Sequence, residues 1–225
     1  VPAKVANPFG KDKNRFISIF PEFTPLKVKY KDVFEFKSFY EELWEWCKEH
    51  GWKDWEQDQD NFERFYGERV TTGGIKEIWI RWRAYKPAEG TPLFKQNKGE
   101  LNEKEVGYLN YYLDIDFHIL GLGSAEIVKD GKKIKTDKGE IEVSIKAFIE
   151  KNYEYEFEKH MLLKQIVDVF TDRIYKRKLE ERKKELYQEA YVMQTFIKQW
   201  FKMKTYLPYV QGEIFFPSKA WPSHQ

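Results

Sequence analysis

Apolar and polar residues alternate along much of the chain, and the period of that alternation changes three times. Phe16, Ile17 and Ile19 open a strand-like run that Pro21 and Pro25 interrupt. Leu26, Val28 and Tyr30 then alternate with Lys27, Lys29 and Lys31, the pattern of a half-buried strand whose lysine face also guards a sheet edge. Phe36, Phe39, Tyr40, Leu43, Trp46 and Cys47 fall on one face of a helix, and Gly51 supplies its stop. Residues 54–63 are acidic and aperiodic and read as a loop or short helix.

Period two returns with Ile78, Ile80, Trp82 and Ala84, alternating with Trp79, Arg81, Arg83 and Tyr85. Residues 86–104, with two prolines and two glycines, read as a long loop. Tyr111, Leu113, Ile115, Phe117 and Ile119 form a further strand face, and Ile141, Val143, Ile145, Ala147 and Ile149 the most apolar one. Tyr153, Tyr155 and Phe157 extend or bend that last strand. Asp130-Gly131 and Asp137-Lys138-Gly139 mark turns. The expectation is a meander of about four to six antiparallel strands.

The period then becomes helical. There is no glycine from residue 140 to 211 and no proline from 94 to 206. Residues 159–204 read as one very long helix, or two end to end. Leu163, Val167, Phe170 and Ile174 share one face. Leu186, Ala190, Met193, Ile197 and Trp200 follow at the 4-3-4-3 spacing of a coiled-coil seam. Between them lies a charged waist, with Arg177 and Glu181 where apolar residues are due. Unbroken, such a helix spans about 65–70 Å, against about 35 Å for a domain of this size. It is therefore expected to project. The predicted organisation is an extended arm (1–14), an α+β core (15–175), a projecting helical arm (176–204) and an aromatic tail (205–225).

Charge sharpens this picture. The net charge is only +2, which gives no global case for nucleic acid. Within residues 159–204, however, twelve cations face six anions, leaving +6 there and −4 elsewhere. That asymmetry suits self-association or an acidic partner. Lys176, Arg177, Lys178, Arg182, Lys183 and Lys184 are candidate phosphate contacts, although Glu180, Glu181 and Glu185 stand at helix-pair spacing from them. Aromatic residues make up 18% of the chain, so rings must build much of the core and can serve as interface anchors. The Lys/Glu richness resembles that of thermophile proteins. Cys47 is the single cysteine, which fits a reducing, cytoplasmic setting, and no apolar run is long enough to span a membrane.

Candidate chemistry is sparse. Asp114, Asp116 and His118 share one strand face and could bind a divalent metal or perform acid–base work. Arg81 and Arg83 share a face of another strand, so cross-strand ion pairing competes with that reading. Gly121-Leu122-Gly123 lacks a third glycine and a following helix, so it reads as a turn and not a phosphate loop. The alternating acids from Asp54 to Asp60 fail a calcium loop, which needs Gly where Asn61 stands and Glu where Gly67 stands. Cys47 and His50 lie on one helix with no group to orient them. No cofactor and no metal are expected.

The order of strand, helix, antiparallel meander and long C-terminal helix resembles that of helix-grip domains. That resemblance implies a curved sheet wrapped on the last helix around an apolar pocket. The first expectation for function is a non-catalytic assembly protein. It would self-associate as a homo-oligomer through Leu186, Ala190, Met193, Ile197 and Trp200 and the tail rings Phe215, Phe216 and Trp221. The alternatives are an RNA- or ribosome-associated protein using the basic helix, and a helix-grip small-molecule binder or enzyme. No DNA or membrane partner is expected.

Overall fold

Residues 15–21, 24–54, 61–71, 73–90, 93–96, 104–129 and 132–203 are described by a computed structural model. In chain order their strands and helices are β1 (Phe16–Ser18), β2 (Leu26–Phe34), α1 (Phe36–Glu49), β3 (Lys53–Asp54), β4 (Glu63–Val70), β5 (Lys76–Pro87), β6 (Leu93–Gln96), β7 (Lys104–Gly107), β8 (Leu109–Lys129), β9 (Lys132–Lys151), α2 (Tyr153–Glu158), α3 (Val167–Val169) and α4 (Lys176–Trp200). The fold is α+β. Seven antiparallel strands form one sheet, with α1 and the long α4 on one of its faces. Across the sheet the rows run β1 and β2, then β9, β8 and β5, then β3 and β4. First and last strands are thus neighbours.

Period-two patterning decides the two faces. Leu113, Ile115, Phe117 and Ile119 of β8 and Ile141, Val143, Ile145, Ala147 and Ile149 of β9 are buried on the helix side. Ile80 and Trp82 of β5 and Val28 of β2 complete that surface. Rings from α1, α4 and the sheet fill the space above it. Phe39 lies 5.1 Å from Trp200, 4.8 Å from Phe201 and 6.4 Å from Phe117, and Trp82 is 5.0 Å from Phe117. Helix α1 buries Phe39, Leu43, Trp46 and Cys47. It ends as its glycine requires: Gly51 adopts φ +75°, its N–H bonds to Lys48 O, and the Trp52 N–H reaches Cys47 O.

Several expectations need correction. Gly121-Leu122-Gly123 is not a turn but a bulge within β8, and residues 137–139 are not a turn but the interior of β9. The two belong together. A Cβ at Gly139 would lie 3.1 Å from Leu120 O and 3.2 Å from Leu122 Cα, so the glycine allows the bulge to press against its partner strand. Part of residues 86–104 forms the β6–β7 hairpin, and residues 153–158 turn helical. Residues 1–14 and 205–225 lie outside the described residues.

The long helix is the largest correction. It does not run from residue 159. A 3-10 turn (Leu163–Ile166), α3 and a π turn (Phe170–Ile174) precede it. No Gly or Pro breaks the helix there. A ring cluster does: Tyr175 packs 5.1 Å from Tyr153 and 5.5 Å from Phe170, and Phe170 lies 4.9 Å from Phe157. At the other end Lys202 takes φ 52°, with bonds from Lys202 N to Gln199 O and from Met203 N to Lys198 O. This is a glycine-type stop made without glycine, a conformation that costs a non-glycine residue about 1–2 kcal/mol. The remaining 25 residues span about 37 Å, which matches the domain. The helix therefore does not project. Leu179, Leu186, Ala190, Met193 and Ile197 are buried along its length in the chain's own core.

Ile145 sits on an interior strand between Ile115 and Leu26 and is fully buried. Ile145→Ala is expected to cost about 2–5 kcal/mol in denaturant unfolding; a loss below about 1 kcal/mol would contradict this packing.

Candidate functional site

The carboxylates and imidazole singled out by sequence do share one face, the face opposite the helices. There they meet cross-strand partners in direct register. Arg83 stands across from Asp114, Arg81 from Asp116, and Trp79 from His118. Arg83 grips Asp114 with two bonds, Nε–Oδ1 and Nη2–Oδ2, each 2.7 Å. Asp116 accepts from Arg81 Nε and from Lys146 Nζ at 2.9 Å. His118 Nε2 lies 3.1 Å from Glu77, and its ring stacks on Trp79 with centroids 5.5 Å apart. Burial alone would raise the Asp116 carboxyl, but the bonds from Arg81 and Lys146 prevail and hold it below the usual carboxylate range. The arrangement is a ladder of cross-strand ion pairs. Its chemistry is mutual neutralisation. Among the described residues no group of His, Cys, Asp and Glu is placed to hold a metal ion.

The ladder continues toward both edges. Lys27 pairs with Glu142, Lys29 and Lys31 with Glu140, and Arg69 with Glu77. The lysine face of β2 therefore has acidic neighbours on β9.

A second polar cluster lies on the helix side, where α4 crosses the end of β5. Lys86 Nζ donates to Glu189 at 2.8 Å and to His50 O at 3.0 Å. The Tyr111 hydroxyl, in a fully buried residue, donates to Glu185, which also accepts from Arg182. Burial first, and the Glu185 charge second, push the Tyr111 phenol far above its ordinary range, so it serves as a fixed donor. This clamp explains the charged waist. Arg182, half-buried in the turn between Leu179 and Leu186, donates to Glu185 at 2.6 Å. Sequence periodicity points to neither Lys86 nor Glu189, because each looks like an ordinary surface charge on its own element.

The remaining candidates separate. Cys47 is buried, and its thiol is pushed well up by burial, with Glu189 adding to the effect. The His50 ring stacks on Trp46, and its Nδ1 bonds to Trp46 O at 2.8 Å, so it is engaged within its own helix. Asp54 is buried against Arg64, and residues 55–60 lie outside the described residues. Leu186, Ala190, Met193 and Ile197 are fully buried in the core, and Trp200 packs on Phe39. The seam proposed for self-association is thus consumed within the chain, because a 4-3-4-3 stripe fits a sheet face as well as a second helix. Phe215, Phe216 and Trp221 lie outside the described residues. Of the candidate phosphate contacts, Lys176, Arg177, Lys178 and Lys184 are exposed, whereas Arg182 and Lys183 are half-buried.

No known protein family, curated protein or solved structure matches the chain. No helix among the described residues is long and apolar enough to cross a membrane.

The ion-pair ladder has a pH signature. Asp116 has a depressed folded-state pKa, so its stabilisation is present above the unfolded value of about 3.9 and is lost as pH falls through the folded value. Asp116→Asn is expected to cost about 1–3 kcal/mol at pH 7. That gap should close as wild type and variant are unfolded at progressively lower pH. A gap that persists unchanged in acid would contradict the pairing.

Proposed function

We propose that the protein is a non-catalytic interaction protein that works as a homo-oligomer. The observation that carries this reading is where its exposed apolar side chains stand. Among the described residues they are gathered in groups. One follows α2, where Met161 is 88% and Leu162 81% exposed and Leu163, Ile166, Val169 and Ile174 are also open to solvent. A second lies along β4 and its turn, at Phe65, Tyr66, Val70 and Ile75, and a third on α4, at Tyr187, Tyr191 and Val192, with Leu120 standing apart. Grouped apolar exposure marks surfaces that are covered in use. The carboxylates Asp114 and Asp116, by contrast, stand in ion pairs with Arg83, Arg81 and Lys146. Light scattering coupled to size-exclusion is expected to give a multiple of the 27.3 kDa chain mass. A single-chain mass at micromolar concentration would sink the proposal.

A second reading, binding to RNA or a ribonucleoprotein, is favoured by the start of α4. Its first turn holds Lys176, Arg177 and Lys178, all exposed, and no acidic residue. Cations are disfavoured at a helix N-terminus by about 0.3–1 kcal/mol each, so their presence there suits a polyanion. This reading expects RNA binding that weakens steeply with salt and is lost in a Lys176→Glu, Lys178→Glu, Lys184→Glu variant. Binding indifferent to salt, or retained in that variant, would count against it.

A further inference from the structure

Toward its C-terminal end α4 helps to close an open surface: Gln194 donates to Lys27 O of the β2 edge at 3.3 Å. Beside the start of the same helix a surface stays open. Residues 163–174 wind through the 3-10 turn, α3 and the π turn, and they are apolar on two sides. The inner side is used within the chain. Phe170 packs 4.9 Å from Phe157 and 5.7 Å from Tyr153, and Thr171 meets the Tyr153 hydroxyl at 2.9 Å. The outer side carries exposed Leu163, Ile166 and Val169 at every third residue, a spacing that stacks side chains in a row along such turns. Met161 and Leu162 stand almost fully exposed at the turn before that row. A helical segment apolar on both sides needs cover on both.

We propose that this segment is a membrane-surface anchor. Met161 and Leu162 insert among the headgroups of an anionic bilayer, and the cations around them meet lipid phosphate and carboxylate groups. The inference goes beyond the homo-oligomer reading and does not depend on it. Charge selects the occupant. Residues 159–178 hold Lys159, Lys164, Arg173, Lys176, Arg177 and Lys178 against Asp168 and Asp172, six minus two, or +4. Arg173, Lys176, Arg177 and Lys178 are exposed, and of these Arg177 pairs with Glu181 at 3.3 Å. Glu158, the nearest acid on the N-terminal side, pairs with Arg15. An apolar tip ringed by cations is the pattern that binds the anionic face of a bilayer.

Other occupants fit less well. A second copy presenting the same patch would set +4 against +4 and be repelled, so self-association falls to the apolar groups on β4 and α4. RNA would meet the cations but leave Met161 and Leu162 in water. Met161, Leu162 and Leu163 are consecutive, so their side chains diverge. A fluid acyl layer accepts diverging side chains more readily than a rigid protein surface does. Binding at the surface needs no spanning segment.

The test uses the full chain. It should sediment with vesicles of mixed phosphatidylcholine and phosphatidylserine and only weakly with phosphatidylcholine alone. A Met161→Asp, Leu162→Asp variant should keep its circular dichroism spectrum and lose at least about tenfold in that binding. Lys176→Glu, Lys178→Glu should weaken it in the same direction. An environment-sensitive fluorophore on Met161→Cys should shift to the blue when mixed vesicles are added. Cys47 is buried and stays unlabelled. The same label on Ile75→Cys, at the opposite end of β5 from the Tyr108–Tyr153 contact, should not shift. No sedimentation with mixed vesicles, or undiminished binding in Met161→Asp, Leu162→Asp, overturns the anchor. So does RNA binding by a chain that ignores vesicles. An oligomer that the same variant reduces to single-chain mass would also overturn it, making the patch a self-association surface and leaving the homo-oligomer reading in place. A single-chain mass together with vesicle binding retires that reading and leaves the anchor standing.

Discussion

The register of β8 against β9 is the constraint on which the rest depends. Ile115 faces Ile145 and Phe117 faces Val143, while Asp114 faces Lys146 between them. A slip of one residue would turn every apolar side chain of one strand to the charged face. Both faces oppose such a slip, one through burial and the other through ion pairs. The bulge at residues 120–123 adds a positional mark, because only Gly139 can sit against it.

Given that sheet, α4 finds the packing for its apolar stripe within the chain. It buries one side chain per turn over most of its length and uses the Lys86–Glu189 and Tyr111–Glu185 contacts to cross the rim. Paired charges at a sheet rim contribute orientation more than net energy. Their effect is to set where along the sheet the helix lies. The aromatic cluster of Tyr153, Phe157, Phe170 and Tyr175 fixes its beginning.

Much of this was legible in the chain. Period-two runs located β2, β5, β8 and β9, the helical stripe located α1, and shared strand faces foretold Arg81 and Arg83 meeting Asp116 and Asp114. What escaped has physical reasons. The helix breaks at Tyr175 and stops at Lys202 through tertiary packing and a left-handed lysine, and neither leaves a Gly or Pro. The glycines at 121, 123 and 139 look like turn residues because close backbone approach and turning need the same residue. Strand β4 hid because Phe65 and Tyr66 are adjacent and Gly67 interrupts the alternation. The apparent coiled-coil seam shows that periodicity identifies a buried face but not what buries it.

The Gln194 contact to the backbone of β2 has a consequence for valency. A sheet open on both sides can add copies without limit and grow into a fibre. Here α4 withdraws one of those sides, because Gln194 occupies an edge carbonyl and the lysines of β2 guard the rest. The long helix thus limits how many sides of the sheet remain open to further strands.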